Sequence, residues 1–262
     1  MTSLDQEPVN NCELARTVEP HAVASWPARE SVLQDGWLLR FSNGYSGRAN
    51  SVATHVYSGD DLEVSLASAE TAYEVRGRDC RFQITPATTP LDLAQRLHDR
   101  GYHPEPWSVL MIAEAASVVE RLRTVPPSEI KIECDPSRSS EFVRLLREGS
   151  RSEEDGDERL AVLDRIKEPK VCLVLKSGGV AVASGACVST GDWAGIYVMR
   201  TAVAHRRQGY GLRVLRDAAH WALGQGTSQL YLQVEEENLA ARKLYARAGF
   251  RHGYRYRNYR IR

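Results

Sequence analysis

Seven consecutive residues, Arg206, Arg207, Gln208, Gly209, Tyr210, Gly211 and Leu212, set two guanidinium groups and two glycines where a strand-like run gives way to a helical one. A helix N-terminus offers unpaired backbone N–H groups and the positive end of the helix dipole, so a glycine-bearing loop there attracts an anion such as a phosphate. The loop lacks the Lys-Ser/Thr ending of a nucleoside-triphosphatase loop and the three-glycine spacing of a dinucleotide fold. Further along, Asn238 is fit to cap a helix, Tyr245 follows seven residues later, and Gly249-Phe250 marks the stop. The carboxylates near these segments, Asp192, Glu235 and Glu237, are the candidates for a general base.

The chain of 262 residues has room for one large domain or two modest ones, each with its own core. Hydrophobic residues make up 42% and charged residues 26%, a soluble globular balance. Lys+Arg and Asp+Glu each total 34, which argues against nucleic acid as the main partner. Five cysteines (Cys12, Cys80, Cys134, Cys172, Cys187) without a C-x-x-C pair predict neither a disulfide framework nor a zinc site, and no metal is expected. A reducing cytoplasm fits this usage. The polar N-terminus is unlike a signal peptide, and no apolar run approaches the ~20 residues that span a membrane.

The elements that position these residues follow from periodicity. "DGWLLRFSNGYSGRANSV" reads as two strands around Asn43 and Gly44, "DLEVSLASAETAYEV" as a helix, "RDCRFQIT" as a strand, "PLDLAQRLHDRGY" as a helix stopped near Gly101, and "WSVLMIAE" as a strand. Pro126-Pro127 marks a seam. Beyond it come a strand "EIKIECD", a helix "SSEFVRLLREG" capped by Ser139 or Ser140, and an acidic stretch "SEEDGDE" that interrupts the helical region. The hairpin "VCLVLK"/"VAVASGACVS" and the strand "GIYVMRT" lead to the loop. A helix from Gly209 to Leu223, a strand "QLYLQVE", a helix "NLAARKLYARAGF" and a basic, tyrosine-bearing edge strand complete the chain.

Together the two segments resemble the GNAT superfamily of acetyltransferases. Arg206, Gly209 and Gly211 match its R-x-x-G-x-G/A signature. Asn238, Ala241, Leu244, Tyr245, Gly249 and Phe250 match N-x-x-A-x-x-L-Y-x-x-x-G-F. The resemblance covers roughly residues 130 to 262, with Val203 standing where many members carry proline. It implies an α/β fold whose central sheet is mixed, mostly antiparallel and flanked by helices. It also implies a cleft where the strand Tyr197–Thr201 parts from Tyr231–Val234. The implied acyl donor is acetyl-CoA, held by Met199, Arg200 and Thr201, by the loop from Arg206 to Leu212, and by Asn238. A backbone N–H near Met199 would face the oxyanion. Tyr245 would be the general acid, because a phenol's pKa of about 10 lies close to that of an alkyl thiol.

The first half reads as a worn copy of the same fold. "RFQIT" and "LDLAQRLHDRGY" echo the strand, helix and Gly-aromatic stop, with Leu97 where Tyr245 stands and no R-x-x-G-x-G loop. The expected division is residues 1–125, a degenerate GNAT-like domain covering the acceptor side, and 128–262, the catalytic domain. Trp37, Arg40, Tyr45, Arg48 and Asn50 are candidates to touch substrate or to form a buried Trp with a polar hairpin. The acids Glu153, Glu154, Asp155, Asp157 and Glu158 either attract a cationic amine or form a solvated surface loop. The expected acceptor is a small-molecule amine, with a protein lysine or N-terminus as the alternative and a homodimer allowed. Two readings from other classes are a non-catalytic acyl-CoA sensor and a nucleic-acid-binding module built on the tail.

Overall fold

The computed structural model describes residues 11–124, 131–135 and 138–261, so Pro126-Pro127 lies outside the described residues. These fall into two compact units. One holds the residues up to Leu110 with Glu235–Glu237 and Gly253 onward; the other holds Met111–Val234 and Asn238–His252.

The first unit opens with α1 (Cys12–Ala24), a helix with no counterpart in the sequence reading. Asn11 caps it by accepting from Leu14 N at 2.9 Å, and Pro20 lies inside it. β1 (Glu30–Gln34) and β2 (Trp37–Phe41) form an antiparallel hairpin around Asp35 and Gly36. Both turn residues have positive φ, as a two-residue hairpin of matching twist demands. β3 (Val52–Ala53) pairs antiparallel with β2. After α2 (Leu62–Glu74), β4 (Arg81–Ile84) lies parallel to β3. α3 (Leu93–Asp99) ends at Gly101, whose φ is +89°. The short β5 (His103–Pro104) and β6 (Ser108–Glu114) follow. Trp37, Leu39, Leu66, Tyr73, Phe82, Leu93, Leu97 and Tyr102 build the core.

The second unit contains α4 (Ala115–Arg121), β7 (Lys131–Asp135), α5 (Ser140–Glu148) capped by Ser139, and α6 (Glu153–Arg165). Its strands β8 (Lys170–Ser177), β9 (Val180–Thr190) and β10 (Trp193–Thr201) run antiparallel beside β7. After α7 (Tyr210–Gly224), β11 (Gln229–Glu235) returns parallel to β10. α8 (Leu239–Arg247) then ends at Gly249, φ +101°. Both units therefore share one sequence of events: strand, helix, parallel strand, helix, positive-φ glycine. Each sheet is mixed and mostly antiparallel, with one parallel pair among these strands.

Two expectations are corrected. The acidic stretch is neither a loop nor an interruption, because it forms the first turns of α6. Ser152 caps that helix by accepting from Asp155 N at 3.2 Å, and acids in the first turn suit the positive end of the dipole. The final strand, β12 (Arg251–Arg260), is not an edge strand. From Gly253 it belongs to the first unit, where Arg257–Arg260 pair antiparallel with β4. On its other side, a Cβ at Gly253 would stand 3.0 Å from the Leu110 carbonyl oxygen of β6.

Candidate active site

The parallel pair β10–β11 is the frame of the site. Its register runs from Trp193↔Gln229 to Ile196↔Leu232 and stops there, so beyond Tyr197 the two strands part. The cause is local. Between Tyr197 and Arg200 the pairing of β10 with β9 shifts register, and Val198 takes φ +45°. A β-branched residue in that region costs of order 1–3 kcal/mol and marks a bulge that re-aims a strand. Met199 thus has no cross-strand partner, while pairing resumes at Arg200↔Ser184 and Thr201↔Ala183.

The loop lies directly after β10. Gly209 has φ +84°, and a Cβ there would meet nothing within 4 Å. The amides of Gln208, Gly209, Tyr210 and Gly211 make no hydrogen bond to a described group. Arg206, Arg207 and Gln208 are exposed, with Arg206 Nε 3.4 Å from the Thr201 carbonyl. Unbonded amides at a helix N-terminus are the donors an anion cradle needs. Gly211 has another reason to be glycine: a Cβ would come 3.0 Å from Leu244 Cδ2, so its smallness lets α7 approach α8. Leu212 is buried and its amide already donates to the Gly209 carbonyl at 3.0 Å, so it packs the helix rather than offering a donor.

That approach brings the loop beside the helix carrying Tyr245. Asn238 Oδ1 accepts from Ala241 N at 3.1 Å, which leaves its amide nitrogen unused by the cap. Tyr245 is 9% exposed, and its hydroxyl makes no hydrogen bond with a described group. Burial pushes its pKa up, and the nearby Arg200 guanidinium pulls the other way. Of the candidate bases, Asp192 is exposed and precedes β10, at the end where the strands are paired rather than parted. Glu235 and Glu237 are exposed and belong to the first unit.

Other polar groups at the gap escaped the sequence reading. The hydroxyls of Tyr197 and Tyr231 lie 2.7 Å apart, over Gly195, where a Cβ would sit 2.5 and 2.6 Å from them. Their signal was the i, i+2 spacing of Gly195 and Tyr197, which places both on one face of β10. Arg200 lies against Gly149, at the end of α5.

The first unit repeats the frame without the cradle. Before α2, where the second unit has Gln208 and Gly209, stand Asp60 and Asp61, and Ser58 and Gly59 stand where it has Arg206 and Arg207. Asp61 accepts from Glu63 N at 2.9 Å and Val64 N at 3.3 Å, so this helix N-terminus is filled by its own carboxylate. Leu97, the counterpart of Tyr245, is fully buried in the core. Trp37, Arg40 and Asn50 are buried and bonded internally, Arg48 lies 5.0 Å over Trp26, and Tyr45 is exposed. In the tail, Tyr254, Tyr256 and Tyr259 are buried, and Arg255 and Arg257 stack on Trp107. No exposed aromatic ladder remains there for a nucleic acid. Among the described residues there is no metal-holding group of three or more His, Cys, Asp or Glu. No helix among them is long and apolar enough to cross a membrane.

Comparison with known proteins agrees with this geometry. The sequence pattern of the family described as "Probable histone acetyltransferase Rv0428c C-terminal" matches residues 13–259. The chain is 32% identical over 238 residues to the "Uncharacterized N-acetyltransferase YobR" of Bacillus subtilis, covering 90% of this chain and 94% of that one. In fold it is similar to a GCN5-related N-acetyltransferase from Kribbella flavida (TM-score 0.69, 15% identity, 98% and 96% of the two chains). It is likewise similar to a tandem GNAT protein from the clavulanic acid biosynthesis pathway (TM-score 0.61, 12% identity, 86% and 77%). With two units of one plan and a parted strand pair followed by a glycine loop at a helix N-terminus, the chain belongs to the Rv0428c C-terminal family and is an acyltransferase of the GNAT superfamily.

Proposed function

We propose that the second unit transfers an acetyl group from acetyl-CoA to the primary amine of a small molecule. The observation that carries this reading is the free cradle of Gln208 to Gly211 amides, opening beside the unpaired stretch of β10. Those amides, with Arg206 and Arg207, suit a pyrophosphate. The backbone of Met199, Arg200 and Thr201 suits an extended pantetheine chain laid along the strand as a peptide adds to a sheet edge. The amide nitrogen of Asn238 supplies one further donor.

In the transfer the amine nitrogen forms a bond to the thioester carbonyl carbon, and the carbon–sulfur bond breaks. The Met199 N–H stabilises the carbonyl oxygen as charge gathers on it. Tyr245 gives its phenolic proton to the departing sulfur, and the amine's surplus proton passes to water. Burial without a bonding partner suits Tyr245 to this role, since its proton is committed to no other acceptor. The first unit, whose cradle is filled by Asp61 and whose Tyr245 counterpart is Leu97, serves no transfer of its own; we assign it to completing the fold and covering the acceptor side.

The family's description names histones, which makes a protein lysine the second reading. Of the five acids in the first turns of α6, Glu153, Glu154 and the paired Asp157 are exposed, a narrow acidic surface for a basic tail. Asp155 and Glu158 are buried, and Asp157 is paired with Arg147 at 2.7 Å. To test the donor site, Gly209→Asp places a carboxylate in the cradle. Calorimetry should show acetyl-CoA binding abolished while circular dichroism is unchanged. Undiminished affinity in that folded variant would refute the assignment.

A further inference from the structure

Among the described residues, Arg200 differs from most other arginines whose Nε is buried and unbonded. Arg81, Arg216, Arg255 and Arg260 each have a carboxylate in reach, and Arg257 lies over Trp107. Arg200 has neither. Its one hydrogen bond is from Nη1 to the carbonyl of its own neighbour, Met199, at 2.9 Å. The carboxylate nearest in kind, Asp155, is fully engaged. Oδ1 accepts from Arg159 at 2.9 and 3.0 Å and Oδ2 accepts from the Arg151 amide at 3.2 Å. Arg159 and Asp155 are both close enough to Arg200 to act on its charge. Two guanidiniums therefore share one spoken-for carboxylate, and a half-buried cation is left in surplus.

The side chain points away from the donor side of the sheet. Gly185 faces Val214 of α7 and the Met199 sulfur, at 2.8 and 3.2 Å from its would-be Cβ. Strand alternation then turns Ser184 and its cross-strand partner Arg200 to the opposite face. There Arg200 runs past Gly149, where any Cβ would lie 2.2 Å from Arg200 Cδ. The exposed glycine at the end of α5 leaves the lane open. Ser184, wholly buried on that face, has a hydroxyl with no partner. The Arg200 guanidinium and the Tyr245 phenol lie within electrostatic reach of each other.

We propose that the Arg200 side chain is the anchor for an anionic group on the acceptor, and that the substrate is an amine bearing a carboxylate or phosphate. This rests on the acetyltransferase reading and narrows it. A guanidinium with no carboxylate of its own receives an external one through two parallel N–H donors. A fixed cation near the amine also favours its neutral, nucleophilic form. Polycationic acceptors such as basic protein tails are repelled by the same charge.

The experiment compares matched acceptors in the full-length protein by thiol release. α-, β- and γ-amino acids are set against their methyl esters, O-phosphoethanolamine against ethanolamine, and spermidine stands for polycations. The anionic member of at least one pair should show a kcat/KM about 10- to 100-fold higher, carried by KM, since a charge-assisted hydrogen bond to a buried ion is of that strength. The amino-acid and phosphate arms distinguish the two anions. Arg200→Gln should erase the ratio between pair members, a readout in which any general loss of rate cancels. Gly149→Ala, which displaces the guanidinium without removing it, should shrink the ratio while leaving the melting temperature close to wild type. Esters or spermidine outperforming every acid, or a ratio that survives Arg200→Gln, would overturn the proposal. If no amine in the panel releases thiol, calorimetry on the coenzyme A-loaded protein compares N-acetylated acids with their esters. Equal binding of both overturns the proposal, and acid-selective binding lost in Arg200→Gln upholds it. Failure of the acetyltransferase reading itself would show separately, as absence of acetyl-CoA binding to the wild-type protein.

Discussion

In the proposed transfer Tyr245 is the general acid, and its surroundings make a two-part prediction. Tyr245→Phe retains the ring that packs 6.2 Å from Phe250, so folding and acetyl-CoA affinity should hold. Turnover should fall by about 10²–10⁴-fold, the usual cost of a lost general acid, with kcat and kcat/KM falling together. Because burial raises the phenol's pKa, the hydroxyl stays protonated up to and beyond a tyrosine's ordinary value of about 10. The kcat profile of the wild-type protein should therefore show no alkaline decline between about pH 8 and 10. A Phe variant with near-normal kcat when chemistry is rate-limiting, or a decline centred below about pH 9, would remove Tyr245 from the mechanism. Gly209 and Gly211 show how two residues of one type in one motif answer different needs. The first needs a left-handed backbone and an open front, and the second a close helix–helix approach.

At the scale of elements, the parted strands depend on the pair that stays joined. Gly195→Ala should force the Tyr197 and Tyr231 hydroxyls apart and destabilise the protein by about 1–3 kcal/mol, as overpacking of a close-fitted core does. Adding Tyr197→Phe makes room, so the double variant should recover part of the loss in urea denaturation; strictly additive losses would contradict the packing account. The elements that sequence revealed are those whose pattern is local. The hairpin β8–β9, α7 with Leu212 and Leu215 on one face, and α8 with its Asn cap were all legible. The missed α1 carries an internal proline and buries only small residues and Val18 among its apolar side chains, which leaves little periodicity to read. The missed α6 hid behind its acids, although Ser152 and Asp155 hold the spacing of a capping box. The gap between β10 and β11 was expected only through family resemblance, because the bulge at Val198 depends on pairing with β9, which no single stretch encodes. The Arg200 lane past Gly149 joins residues on separate elements and has no sequence signature at all.

On the scale of the whole molecule, the first unit owes its completion to a segment distant in sequence, from Gly253 onward. Tyr254 donates to the buried Glu19 carboxylate at 2.6 Å, and Gln83 lies 3.4 Å from its other oxygen while also accepting from the buried Arg40 at 2.6 Å. Burial pushes the Glu19 pKa up against the opposing pull of Tyr254 and Arg40. Between the unfolded value of about 4.3 and the raised native one, the native state binds the proton more tightly. Stability from this group is thus fully present at low pH and lost as pH rises through that window. Glu19→Gln, neutral throughout, should flatten the slope of melting temperature against pH; parallel curves for the two proteins would exclude Glu19 as its source. Deleting Gly253–Arg262 removes most of β12 and three buried tyrosines from the first unit, and hydrogen exchange there should become unprotected; retained protection would show β12 to be dispensable. A fragment of residues 1–125 lacks the same strand and should fail to fold, so the halves cannot be compared as separate proteins. The order of synthesis sharpens the point. β4 leaves the ribosome well before its partner β12, on the order of 10 s earlier at ordinary elongation rates. During that interval the nascent first unit presents an unmatched strand edge, a natural client for a chaperone, and a message cut short anywhere before Gly253 yields no usable N-terminal half.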